Sequence, residues 1–451
     1  MNKLQVGFAR VNITPQMGID VAGYYKIRRA EGVLDDLEIN AVAVNHGETT
    51  VLIMTIDNCN IPTEYALMVR NAISSSTGIP CEAIYIHATH THTGPRLTYP
   101  GNPEADKMIT DYRNFVITRF VDVANFAIAD LKPAKMGYGI GQAPNIAFIR
   151  RYRMKDGSVK TNPGVNNPDI VEPIGQVDER VSVIRFDREG AKTVVIVNFA
   201  DHPDTVGGNL ISGDWPTLTR HFVEKAIDNT ECILLNGTQG DVNHVNVHPQ
   251  GGDFNDMFND FDGCSRGYGH ARHMARVVTG GVLQVYDKVN YVDVDSVKYM
   301  QKYIGIPANL PDPKDLPLAH KYNDLHNAGR DDEIPYKAMM LTTVVAEAAR
   351  MVRLENSPEN FDLLFSAISI GNVAFFGIPG EPFNAIGREI KKAEGWDLVI
   401  PTCITNGADG YYPMQDSYDE GGYEARSSNF KAGVGEKIID IGISMLSELK
   451  K

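Results

Sequence analysis

Short apolar runs alternate along the chain with polar, glycine-rich loops and with longer stretches whose apolar residues recur every three or four positions. The apolar runs lie at 51–56, 83–86, 194–199, 232–235, 373–378 and 398–400. They are short and several are rich in β-branched residues, which suits buried strands. Helical periodicity marks 62–76, 105–131, 215–228, 265–287, 336–353, 382–394 and 434–449. In the last of these, Ile438, Ile439, Ile441, Met445, Leu446 and Leu449 form a broad apolar stripe. Strands alternating with helices predict a layered α/β fold, a mixed β-sheet flanked by helices. Two stretches break the rhythm. Residues 301–335 carry Pro307, Pro311, Pro313, Pro317 and many charges, and 141–180 is similarly loop-like. The first reads as an irregular excursion over the surface rather than a linker, because residues able to do chemistry lie on both sides of it. A single domain over 1–451 is therefore expected.

Charge narrows the function. Against 43 lysines and arginines stand 57 aspartates and glutamates, a net charge of −14 over 451 residues. Nucleic-acid binders present a basic face, so this class is disfavoured, and docking on an anionic membrane finds no support. No apolar run approaches the roughly 20 residues of a membrane span. Cys59, Cys81, Cys232, Cys264 and Cys403 are odd in number and have no close pairs, which reads as reduced, mostly buried thiols. Met1-Asn2-Lys3-Leu4-Gln5 has no apolar leader, so a cytoplasmic protein is expected, although a trimmed leader would leave the same start. The partner these features leave is a small molecule. They do not set the number of subunits.

The chemistry collects after the apolar runs. The run at 83–86 leads into His87-Ala88-Thr89-His90-Thr91-His92, that at 194–199 into Asp201-His202-Pro203, and that at 232–235 into Gly240-Asp241-Val242-Asn243-His244. The run at 373–378 leads into Pro379-Gly380-Glu381, and that at 398–400 toward Asn406, Asp409, Tyr411 and Tyr412. Ligands of open α/β sheets bind beyond the carboxyl ends of strands, so one convergent site is expected there. His90 and His92, two apart, would face the same side of a continuing strand. With His202 and Glu381 they make a nitrogen and oxygen set that suits zinc with an open position for water. Taken singly, each has a plainer explanation: a hydrogen-bonded loop pair, or a carboxylate at a helix start. His244 is a possible pocket residue. Arg150 and Arg151 can orient a carbonyl or anionic substrate through the guanidinium fork, or form a solvated basic patch. Tyr412 and Phe254 can stack on a planar group. There is no GxSxG, P-loop or HExxH sequence.

His90-Thr91-His92-Thr93-Gly94-Pro95 resembles a signature of the neutral/alkaline non-lysosomal ceramidases. So, in the same order, do Asn12-Ile13-Thr14-Pro15, Ala22-Gly23-Tyr24, Asp201-His202-Pro203, Ser212-Gly213-Asp214, Gly240-Asp241-Val242, Pro379-Gly380-Glu381, Gly410-Tyr411 and Tyr423-Glu424. The resemblance covers about residues 5 to 430. It implies zinc held by His90, His202, Glu381 and Tyr411, with His92 and Tyr423 lining the site and Arg150, or its rival Arg151, contacting substrate. Two departures stand out. Asn243 occupies the place of the family's serine, and the chain ends at Lys451 without room for the family's C-terminal β-sandwich domain.

An asparagine cannot replace serine as an oxygen nucleophile, but it can donate a hydrogen bond to an oxyanion. The expected activity is therefore zinc-dependent hydrolysis of an amide or ester, lactones included, by metal-activated water. His92 would be the base, and Asn243 and Tyr423 would steady the oxyanion. The loops around Arg150, Asn243 and 251–256 are polar, which favours a small polar substrate, such as a sugar-derived or acylated amine compound, over ceramide. The alternatives are a metal-bearing binding protein without catalysis, a metal-assisted lyase or isomerase, and a true N-acylsphingosine amidase.

Overall fold

The computed structural model describes residues 3–250 and 267–451. Phe254, Cys264 and the polar loop 251–256 lie outside the described residues. The fold is mixed α/β, as expected, and its larger sheet has nine strands among the described residues. Eight run in the order Thr230–Asn236, Thr193–Phe199, Arg180–Arg188, Lys132–Gln142, Gln5–Asn12, Glu38–His46, Thr49–Ile56 and Ile84–Ala88. The ninth, Asn290–Val292, pairs with Lys132–Gln142. Pairings inside the sheet are antiparallel, whereas the pair at each edge is parallel. A smaller sheet orders Val297–Pro307, Asn360–Ile370, Val373–Gly377 and Leu398–Thr402, and its last pair is also parallel.

Side-chain alternation feeds separate cores from the two faces of each sheet. Ile184, Val194 and Ile196 enter the largest core with Ile368, Phe375 and Ile400 of the smaller sheet. Val183, Val195 and Val197 face Trp215, Met274 and Val278 on the helices Asp214–Ala226 and Tyr268–Val285. Phe365 and Phe376 pack under the helix Val434–Lys450. The helix Pro103–Ala129 crosses Gln5–Asn12 and Glu38–His46. It starts where the Asn102 side chain accepts from the backbone N–H groups of Glu104 and Ala105, two donors a helix start leaves unpaired.

The expected strands and most helices are present. The helix expected over 382–394 shortens to Asn384–Ile390. The stretch 301–335 is not irregular: it holds most of the strand Val297–Pro307 and the helix Leu316–Asn327. Its prolines mislead because Pro307 ends the strand and Pro317 sits in the first helical turn, where no hydrogen bond is lost. Lys132–Gln142 escaped notice because its glycines read as loop. Glycine is required there: a Cβ on Gly141 would lie 2.0 Å from the carbonyl oxygen of Gly281 in the packed helix.

One buried histidine joins the parallel pairs of the two sheets. The His87 Nδ1 lies 2.7 Å from the Cys403 carbonyl oxygen, after Leu398–Thr402. Its Nε2 accepts from the Asn236 N–H at 2.8 Å, at the end of Thr230–Asn236. The carboxyl ends of the parallel pairs in these two sheets therefore meet in one place.

Candidate metal centre

His90 and His92 follow the end of Ile84–Ala88, His202 follows Thr193–Phe199, and Glu381 pairs in parallel register with Tyr411. His90 is not in a continuing strand. Its backbone turns into the left-handed region, at φ 76°. That conformation is costly for a side chain with a Cβ and persists where surrounding contacts hold it. Here the His90 N–H is held by the Asn58 carbonyl at 2.8 Å, and its ring by Cys59.

The turn brings donors together. His90 Nε2 lies 3.1 Å from His202 Nε2 and 3.3 Å from His92 Nε2. Glu381 Oε2 lies 3.3 Å from Nε2 of both His90 and His202. On the far side of each ring, Nδ1 meets a backbone carbonyl: Cys59 at 2.5 Å for His90 and Gln239 at 3.0 Å for His202. A carbonyl only accepts, so Nδ1 carries a proton and Nε2 faces inward, where it presents a lone pair when the ring is neutral. Two imidazole nitrogens facing one buried carboxylate oxygen are an arrangement able to hold a cation. His90, His202 and Glu381 form one of two metal-competent groups among the described residues.

Electrostatics favour positive charge beside Glu381. Burial tends to raise the Glu381 carboxyl, but His90 and His202 outweigh it and hold it well below the usual carboxylate range. Burial tends to lower His90, but Glu381 outweighs it and holds His90 well above the ordinary imidazole value. His92 is pushed well below that value by burial and by His90, and His202 is lowered by burial and Arg150. The cluster thus accommodates positive charge beside Glu381 but not on every ring.

Around this centre, Tyr411 stacks on His202 with ring centroids 6.4 Å apart, and Tyr423 meets Tyr411 edge-on at 5.5 Å. The Arg150 guanidinium sits 5.5 Å from the Tyr411 ring centre and 6.0 Å from that of Tyr423. It donates to Glu424 at 2.6 Å and to the Gly240 carbonyl at 2.7 Å. Its rival points elsewhere: Arg151 donates to Glu420 and lies against Phe383. Tyr412 is fully buried, bonded to the Pro379 carbonyl and stacked on Phe430, so the expectation that it stacks on a ligand is corrected. Asn243 is 1% exposed, and its amide is committed to a turn: Oδ1 accepts from the Val245 N–H and Nδ2 donates to Asn162. His244 is buried, with Nδ1 3.1 Å from Asp204, and is not among the clustered donors.

Sequence reasoning gave no role to several neighbours. Tyr24 meets the His92 ring edge-on at 5.4 Å, and Tyr25 shares a hydrogen bond with Tyr423 at 3.2 Å. Gly23, at φ 103°, leaves room for His92, whose Cγ would lie 2.6 Å from a Cβ there. Beside these tyrosines a cavity of about 590 Å³ is lined by Lys26, Arg28, His326, Leu341 and Val345 among others. Its far wall belongs to the helices Leu316–Asn327 and Ala338–Leu354.

No protein-family model matches the chain, and no curated protein matches its sequence. Solved structures do share its fold. Neutral ceramidase from Pseudomonas aeruginosa superposes with a TM-score of 0.72 at 16% identity, covering 100% of this chain and 75% of that one. A ceramidase complexed with C2 gives 0.70 at 16% identity, over 100% and 76%. The chain has the neutral-ceramidase fold. Among the described residues no helix is long and apolar enough to cross a membrane.

Proposed function

We propose that this chain is a metal-dependent hydrolase of amide or ester bonds, with zinc held by His90, His202, Glu381 and Tyr411. The observation that carries the reading is the convergence of two Nε2 lone pairs and a buried carboxylate oxygen from separate strand ends. Nitrogen and oxygen donors in this number suit zinc. When bound, such an ion supplies Lewis acidity to a carbonyl and makes water acidic near neutral pH. His92 stands beside the donors with a buried Nδ1 that has no hydrogen-bond partner, and it would serve as the base. Arg150 and Tyr423 orient the carbonyl. The cavity beside Tyr24 and Tyr25 offers Lys26 as well as Leu341 and Val345, which fits a small acylated amine with a modest acyl group. The similar structures are ceramidases, which supports cleavage of an N-acyl bond.

A second reading, a metal-bearing binding protein, draws on Asn243, whose amide is engaged in its own turn. Turnover separates the two. Zinc-loaded protein offered a panel of N-acyl amides and esters is expected to release the acid with one labelled solvent oxygen. His202→Ala is expected to lose both zinc and turnover. Zinc retained by the wild-type protein with no turnover across the panel would favour the binding protein, and product without solvent oxygen would favour a lyase or isomerase.

A further inference from the structure

The second metal-competent group is Cys59, His90 and His92, in which a donor atom from each residue lies within 4.8 Å of the others. Cys59 Sγ is 4.0 Å from His90 Nδ1. All three residues are buried, and His92 Nδ1 is among the buried polar atoms with no hydrogen-bond partner. The set therefore combines a thiol with two imidazoles, one carrying an unused nitrogen, and it shares His90 with the group that contains Glu381. Thiolate sulfur with imidazole nitrogen selects soft cations over the oxygen-preferring ones.

We propose that Cys59, His90 and His92 form a second cation site for thiophilic ions such as cadmium or cuprous copper, and that sharing His90 makes its occupancy exclusive of the His90–His202–Glu381 set. Binding forms a metal–sulfur bond and releases the Cys59 thiol proton to solvent, since thiolate is the ligating form. A soft ion there withdraws one ligand of the first centre and the histidine beside it, so it inhibits whatever chemistry that centre performs. The inference stands on the donor geometry and is independent of the hydrolase reading.

Cadmium titration of the chelator-treated full chain tests it. A thiolate-to-cadmium charge-transfer band is expected in the wild-type protein, together with a cadmium NMR resonance in the range of mixed sulfur and nitrogen ligation. Zinc preloaded on the protein should be released in step. In Cys59→Ser the band should vanish and cadmium affinity should fall by about tenfold or more. His92→Gln should keep the band with weaker binding. A cadmium resonance showing only nitrogen and oxygen ligands overturns the proposal without recourse to any variant, as does an unchanged band in folded Cys59→Ser. Full retention of zinc on cadmium binding overturns the exclusivity. Hydrolysis assays on the zinc form report on the proposed activity separately.

Discussion

Arg150 shows how a single side chain is kept usable inside a protein. The residue is 5% exposed, and a buried cation is tolerated only when its partners satisfy it. Glu424, fully buried, supplies the counter-charge at 2.6 Å while also accepting from Thr161, and the Gly240 carbonyl takes another N–H. What remains faces Tyr411 and Tyr423. Neutralising the anion should therefore damage both packing and site. Glu424→Gln is expected to lose about 3 kcal/mol of stability, the usual cost of breaking a buried ion pair. It should also lower kcat more than it raises KM, because Arg150 would be misplaced rather than absent. Urea denaturation and steady-state kinetics measure the two effects, and a variant with wild-type stability and kcat would remove Glu424 from the site's support. Glu424 was visible in the sequence only as part of a motif. Its role depends on a contact 274 positions away, which no local pattern encodes.

Among the elements, those that carry the ligands were the legible ones, for a physical reason. Ile84–Ala88, Thr193–Phe199 and Leu398–Thr402 belong to parallel pairs covered on both faces, and such strands read as unbroken apolar runs. Polar residues interrupting the end of such a run therefore announced His90, His202 and the segment leading to Tyr411. The antiparallel strands Gln5–Asn12 and Glu38–His46 carry mixed sequences and were not picked out. The pairing of His90 with His92 was anticipated from strand geometry, yet it arises from a left-handed turn. The loop holding Gly23 was legible as a motif but not as a wall of the site. Gly23→Ala makes that wall measurable. With φ at 103° and a Cβ 2.6 Å from His92 Cγ, the methyl group must displace the ring or the loop. We expect turnover to fall by about tenfold or more, in line with the sensitivity of catalytic groups to small misplacement. Zinc content should stay unchanged, because His92 is outside the His90–His202–Glu381 donor group. Loss of zinc together with turnover would show that the loop supports the metal itself.

For the whole molecule, the decisive feature is that two sheets are fastened to each other where the ligands sit. His87 is part of the fastening, accepting from Asn236 and meeting the Cys403 carbonyl. Burial pushes its pKa down to about 3, whereas an unfolded imidazole protonates near 6.5. The native state therefore lags in proton uptake: the stability His87 contributes is intact above about pH 6.5 and is lost as pH falls toward 3. His87→Gln should flatten that part of the stability–pH curve, and parallel curves for the two proteins would assign the acid sensitivity elsewhere. The proposed metal would act across the same junction. Its proposed ligands come from Ile84–Ala88 and Thr193–Phe199 of one sheet and from segments beyond the other, so an ion bound to them links both sheets in the native chain and cannot do so in the unfolded one. At a free concentration one hundred times Kd, such an ion adds about 2.7 kcal/mol. Zinc is therefore expected to raise the Tm of chelator-treated protein by several degrees. Magnesium should do little, because it prefers oxygen ligands in octahedral geometry. His202→Ala should show no zinc-dependent rise. Calorimetry on the two proteins, each with and without zinc, decides the matter. An equal rise in both would mean that the stabilising ion sits away from His202, and the junction would then have to be held by His87, the other hydrogen bonds that cross it, such as Tyr85 to Thr402 and Ile86 to Asn406, and the packed cores.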